Sequence, residues 1–217
     1  MRDFMTVWLA GLVVCGVAAD AAERTDSVSA FEKLEASRGF NVELACGDSS
    51  SVAISGPSDG VADTKTSVVG KTLKIERKSR SFDINSKDSV HVKVTVSQPL
   101  DSLAISTGVD LVAPACAIGS DHLDLTASTG ADIKTAAKVN RLVIDASTGA
   151  DIAPLPGQRI DAAETKVHAS TGSDIKLCKA GKLSGSLALG SDLTIESSDS
   201  SDVSTNLGAD ISHRDCH

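Results

Sequence analysis

Between residues 106 and 211 the chain returns again and again to one hexapeptide: STGVDL at 106–111, STGADI at 128–133, STGADI at 147–152, STGSDI at 170–175, ALGSDL at 188–193 and NLGADI at 206–211. The glycines of these copies, Gly108, Gly130, Gly149, Gly172, Gly190 and Gly208, stand 22, 19, 23, 18 and 18 residues apart. A repeat of about twenty residues is the length of one coil of a solenoid, a unit that can bury its apolar face only against the next copy. Helical units are disfavoured, because the segments between the glycines are rich in Ser, Thr, Val and Ile and alternate with period two.

Counted from each glycine, the alternation divides the coil into two faces. Leu103, Leu125, Ile144, Val167, Gly185 and Val203 stand at minus five, and Ile105, Ala127, Ala146, Ala169, Leu187 and Thr205 at minus three. Leu111, Ile133, Ile152, Ile175, Leu193 and Ile211 stand at plus three, and these odd positions are predicted to point inward. Even positions point outward: Ser106, Ser128, Ser147 and Ser170 at minus two, and Asp110, Asp132, Asp151, Asp174, Asp192 and Asp210 at plus two. The pattern predicts two short strands per coil, joined by a bend at a glycine with positive φ that also lets the neighbouring coil approach closely. Parallel sheets stacked at about 4.8 Å follow.

Residues 27–100 lack the hexapeptide. FNVELACGDSSSVAISG, TLKIERK and SVHVKVTVSQP alternate strictly, as strands of irregular first coils or of a small sheet capping the open end of the solenoid. Pro99 marks the passage to the regular coils, 101–213, and no long Gly, Ser or Pro linker divides residues 22–217, which are expected to form one domain.

The first 21 residues read as an address. One basic residue, Arg2, precedes the apolar stretch 4–17 and the small residues Ala18, Ala19 and Ala21, the layout of a secretory signal peptide cleaved after Ala19 or Ala21. Cys15 follows Leu12, Val13 and Val14, similar to a lipoprotein box but with a bulky Val where a small residue belongs. Membrane attachment is expected only if Cys15 is lipidated. The protein is therefore expected in the periplasm, at the cell surface or secreted. Cys46, Cys116, Cys178 and Cys216 remain, an even number in an exported chain, so disulfides are expected. Of the three pairings, Cys46 with Cys116 and Cys178 with Cys216 is favoured because each joins neighbours toward one end of the solenoid.

The succession of Phe31, GFNVELACGD, SVAISGP, TLKIERK, VKVTVSQPLDSLAIS and then repeated STGADI resembles the auto-transporter adhesin head, or GIN, domain family over residues 31–211. The short S-G-x-G-D repeat of that family stands here as S-T-G-x-D, with Leu in place of Thr in the last two copies. The resemblance implies a right-handed parallel β-helix in an exported bacterial protein and suggests adhesion. It brings no catalytic residues.

Composition narrows the partners. The net charge of −8 argues against nucleic acid, whose phosphates need a basic footprint. Only 2% of the 217 residues are aromatic, with Trp8, Phe4, Phe31, Phe40 and Phe82 and no Tyr, so a stacking platform for sugars or bases has little to be built from. The outward aspartates repel their neighbours by roughly 1 kcal/mol per pair even at the dielectric of water. Two readings account for them: each carboxylate accepts a backbone N–H at its bend, or Asp110, Asp132, Asp151, Asp174, Asp192 and Asp210 together form a ribbon of oxygen ligands for Ca²⁺ or a cationic partner. The first is favoured, since Ca²⁺ takes six to eight oxygens. The tail carries His213, Cys216 and His217, residue types able to hold a metal, although fraying is the expected state of a terminus. His91, His122 and His168 are predicted to lie apart.

For catalysis the sequence offers little: no G-x-S-x-G elbow, no Walker loop, no G-x-G-x-x-G, and no paired carboxylates of glycoside hydrolysis. No cofactor is expected. The function read from the sequence is a non-catalytic, exported, adhesin-like module that binds a surface polymer, glycan or protein, with a polysaccharide-active β-helix enzyme as the alternative. Residues 71–93 hold Lys71, Lys74, Arg77, Lys78, Arg80, Lys87 and Lys93 against Glu76, Asp83 and Asp88, whereas residues 190–217 hold Asp192, Glu196, Asp199, Asp202, Asp210 and Asp215 against Arg214. Opposite charge at the two ends predicts weak head-to-tail self-association.

Overall fold

The computed structural model describes residues 21–78 and 90–216. Residues 1–20, which hold most of the expected signal peptide and Cys15, residues 79–89 of the basic stretch, and His217 of the tail lie outside the described residues. The chain is nearly all strand and forms a β-solenoid of stacked parallel strands.

The regular coils each contribute two strands. They are β8 (Ser102–Ser106) and β9 (Asp110–Ala113), β10 (His122–Ser128) and β11 (Asp132–Thr135), β12 (Ala137–Ser147) and β13 (Asp151–Pro154). Then follow β14 (Ile160–Ser170) and β15 (Asp174–Lys179), β16 (Lys182–Leu187) and β17 (Asp192–Ser197), β18 (Ser200–Thr205) and β19 (Asp210–His213). Strands pair in parallel with their counterparts one coil away, so that Leu103, Leu125, Ile144, Val167 and Gly185 are in register. The inward positions fill one continuous core, in which Leu125, Ile144, Val167, Ile133, Ile152 and Ile175 are all 0% exposed. Full burial of one such side chain contributes about 1.5–3 kcal/mol. The filling fades at the last coil: Val203 and Ile211 are half-buried and Thr205 is exposed.

The bend differs from expectation in an informative way. Positive φ is adopted by two consecutive residues, the glycine and the residue before it: Thr107 (φ 57), Thr129 (φ 58), Thr148 (φ 54), Thr171 (φ 54), Leu189 (φ 53) and Leu207 (φ 51). A β-branched residue in this region is a backbone outlier. It is held because the turns themselves stack: the Thr129 N–H donates to the Ser147 carbonyl and the Gly130 N–H to that of Thr148. Two successive left-handed residues turn the corner while keeping the in/out alternation in phase. No neighbouring atom lies within 4 Å of the Cβ that Gly108, Gly130, Gly149, Gly172, Gly190 or Gly208 would carry, so close approach of the next coil is not what these glycines provide.

Residues 27–100 form both a coil and a cap. β2 (Lys33–Ser37) and β3 (Phe40–Cys46) are a complete first coil, pairing with β8 and β9, and Arg38 (φ 76) with Gly39 (φ 69) reproduces the bend. The chain then leaves the stack to build the cap before returning at β8. β4 (Ser51–Pro57) and β7 (Val90–Val96) extend the sheet of β3, and β1 (Ala21–Ser27) closes it in antiparallel fashion on β4. β6 (Thr72–Arg77) extends the sheet of β2, with β5 (Thr64–Val69) antiparallel at its edge. A short helix, α1 (Ser58–Asp63), buries Val61 across this end. Because Ala21 already pairs with Pro57, cleavage after Ala19 would leave β1 whole.

Two disulfides close the molecule in the favoured pairing: Cys46–Cys116, with Cα atoms 6.3 Å apart, and Cys178–Cys216, at 5.6 Å. The second corrects the view of the tail. The chain end is pinned back onto β15, and Cys216, being oxidised, offers no thiolate to a metal.

Candidate functional site

With the odd positions spent on the core, function falls to the outer faces. At the corner after the bend, the plus-two residues form one ladder in which Asn41, Asp110, Asp132, Asp151, Asp174, Asp192 and Asp210 are directly opposed from coil to coil. Lys176 pairs with Asp174 at 3.0 Å. Burial, and then the carboxylates of Asp132 and Asp174, push Asp151 above the usual carboxylate range. The Lys176 charge and a hydrogen bond from the Asp174 backbone pull the other way without offsetting it. Among the described residues no group of three or more His, Cys, Asp or Glu side chains comes together to hold a metal ion.

A raised pKa in the folded state means that ionised Asp151 costs stability; the cost is complete above the folded pKa and absent once the pH falls below the unfolded value. Asp151→Asn is therefore expected to stabilise the protein at pH 7 by a few tenths of a kcal/mol, the exposed setting screening the effect, and to be neutral near pH 3. Urea unfolding at the two pH values measures this. A loss of about 1 kcal/mol at pH 7 would instead mark the carboxylate as the pin of its turn. The same titration with Asp132→Asn/Asp151→Asn tests Ca²⁺: a metal-dependent rise in Tm that the double variant abolishes would show chelation, and no rise is the expected result.

On the sheet that precedes the bend, two outward rows run parallel to the solenoid axis. Ser37, Ser106, Ser128, Ser147 and Ser170 form one, and Glu35, Ala104, Thr126, Asp145, His168 and Ser186 the other, each residue opposed to the next. Their side chains line two adjoining depressions, of about 270 and 390 Å³, that share Thr126 and Ser128 and together form a shallow furrow reaching from β6 to β16. Within it the His168 Nδ1 lies 3.1 Å from the Ser186 Oγ. Both residues stand four before their repeat glycines, Gly172 and Gly190, so the repeat spacing sets them opposite each other, and the structure adds the contact between their side chains. The other histidines do lie elsewhere: His122 Nε2 contacts Asp124 at 2.8 Å, His91 is on β7 and His213 ends β19.

A further depression, about 510 Å³, is at the cap between β1 and β5. Three of its polar side chains bond one another or the backbone: Arg24 bonds the Thr64 carbonyl and Asp26, both at 3.0 Å, and Thr66 Oγ1 donates to Asp26 at 2.6 Å. Burial pushes Asp26 upward, but the bonds from Thr66 and Arg24 outweigh it and hold the carboxyl below its ordinary range. This seam is part of the cap's own construction.

The model of the family described as putative auto-transporter adhesin, head GIN domain, matches residues 30–214. Among solved structures the chain is similar to a putative adhesin from Bacteroides fragilis, at 17% identity and a TM-score of 0.66, covering 91% of this chain and 98% of that one. It is also similar to a putative lipid binding protein from Parabacteroides distasonis, at 11% identity and 0.52, covering 90% and 97%. No curated protein matches. At these identities the solved structures speak for the fold alone.

Proposed function

This chain belongs to the auto-transporter adhesin head GIN-domain family, and from that premise we propose that it is a non-catalytic, adhesin-like binding module displayed outside the cytoplasm. The observation that carries the reading is the set of unbroken outward ladders. Hydroxyl and carboxylate side chains repeat in register along a rigid stack whose core makes no use of them. The family and the two disulfides point to an extracellular or surface location. Within that, a signal peptide over residues 1–21, one domain over 22–217, and residence in the periplasm or at the cell surface are proposed. The acidic corner favours partners other than nucleic acid.

The enzymatic alternative has one observation in its favour, the contact of His168 with Ser186. A nucleophile also needs donors aimed at the developing oxyanion. Backbone N–H groups of a parallel sheet run sideways to the adjacent strands rather than outward, so the sheet around Ser186 supplies no backbone donors for such a site. Weak end-to-end self-association is proposed from the edges of β1 and β5 at one end and β18 and β19 at the other. The charge contrast between the ends is softened, since Lys71 and Lys74 pair with Glu32 and Glu35.

The purified protein should be retained on immobilised bacterial and host surface polysaccharides or matrix proteins, with the bound material recovered intact. Release of shortened chains or acyl groups, lost in Ser186→Ala, would favour the enzyme instead. Absence of retention on every surface would overturn the binding reading.

A further inference from the structure

We infer that the furrow across β6, β2, β8, β10, β12, β14 and β16 is a binding cleft for a linear, uncharged polyhydroxyl polymer, a neutral glycan lying along the solenoid axis; this rests on the binding reading and specifies its ligand. The first support is shape. The two depressions adjoin at Thr126 and Ser128, and six steps of about 4.8 Å between adjacent strands give them a combined reach of about 29 Å. A cleft this long and open suits a chain molecule rather than a compact one.

The second support is the chemistry of the lining. The serine row presents a hydroxyl at every coil from Ser37 to Ser170, each able to donate and to accept. Beside it, Thr126 does the same, Asp145 accepts, and the His168 ring, its Nδ1 engaged with the Ser186 hydroxyl, presents Nε2. A sugar hydroxyl is likewise donor and acceptor, so a polymer of such units can satisfy groups that recur at each coil. Ala104 and Ala188 leave flat apolar ground for the C–H faces of a ring.

Charge selects against the alternatives. Among the described residues no Lys or Arg lines either depression, and the acidic groups are Glu35, Glu76 and Asp145, so polyanions such as uronic-acid polymers or nucleic acids are repelled. Glu35 is already matched by Lys74 at 2.8 Å. The absence of aromatic lining means that affinity comes from hydrogen bonds repeated along the length. Binding should therefore rise steeply with chain length.

Affinity gel electrophoresis of the exported, processed protein tests this with four soluble polymers: hydroxyethylcellulose, soluble starch, carboxymethylcellulose and polylysine. Retardation by at least one of the two neutral glycans, and none by carboxymethylcellulose, is expected. Asp145→Ala/His168→Ala should weaken it at least tenfold, and Ser147→Arg, which places a bulky cation in mid-furrow, should abolish it. Both variants alter outward side chains and should melt as the parent does. Hexasaccharides of the retarding glycan should compete at least tenfold better than disaccharides. Retardation by polylysine alone, by neither neutral glycan, or equally in parent and variants overturns the proposal. Retention of the variants on whole surface material, with neutral-glycan binding absent, would leave the adhesin-like reading standing and remove the furrow from it.

Discussion

Gly185→Ala is expected to destabilise the protein by about 3 kcal/mol or more, although it adds a single methyl group. Gly185 lies mid-strand in β16, in register with Val167 below and Val203 above. Its φ is +135, and a Cβ there would stand 1.8 Å from the Val167 carbonyl oxygen and 2.8 Å from the carbonyl carbon. Backbone atoms of a paired strand cannot rotate away as a flexible side chain can, so β16 must shift and take its pairing with β14 along. Gly149→Val provides the contrast. Gly149 has φ +68 and open space around the absent Cβ, so the cost is that of the left-handed backbone, about 1–2 kcal/mol. Urea unfolding should rank Gly185→Ala well below Gly149→Val. The reverse order would mean that β16 settles into ordinary strand geometry once a side chain is present.

The second large effect concerns Cys46–Cys116. Closing a loop across a sequence separation of 70 removes denatured-state entropy worth about 4 kcal/mol in the chain-entropy treatment, and loss of such a bond commonly costs 2–5 kcal/mol. The loop contains every cap element except β1, so Cys46→Ser/Cys116→Ser should lower the main unfolding transition by that amount. Cys178→Ser/Cys216→Ser should act differently. That bond ties the tail to β15 beneath the least buried coil, and its loss should free β18 and β19 in a separate, earlier opening seen as fast hydrogen exchange there, with the main transition moved less. If the two pairs shifted one common transition equally, the solenoid would be a single cooperative unit up to its last strand.

The regular coils were legible because their signal is local and redundant. The period-two alternation around each glycine names the inward residues, and stacking of copies leaves them one core to fill. The coil of β2 and β3 escaped the same reading since Arg38 stands for Thr and Asn41 for Asp at the bend, which leaves only S-x-G and the alternation as a trace. Nor did the hexapeptide disclose that Thr and Leu share the left-handed conformation with glycine. Their propensity opposes it, and the stacked bends override that preference with hydrogen bonds from coil to coil.

By itself, then, the sequence determined what depends on spacing along the chain: a solenoid, the buried positions of its inner coils, the outward aspartate ladder and an even set of cysteines beyond residue 21. The tertiary structure alone decided what depends on neighbours across coils. It set the return of the chain from the cap to β8, so that β2 lies against both β6 and β8. It also set the side chains of His168 and Ser186, opposed by the repeat, 3.1 Å apart and sank two rows of small polar side chains into adjoining depressions. The physical reason is that a parallel stack converts residues some twenty positions apart into neighbours at about 4.8 Å. Which of them meet is fixed by the register of backbone hydrogen bonds and the length of each loop, quantities that no single segment encodes.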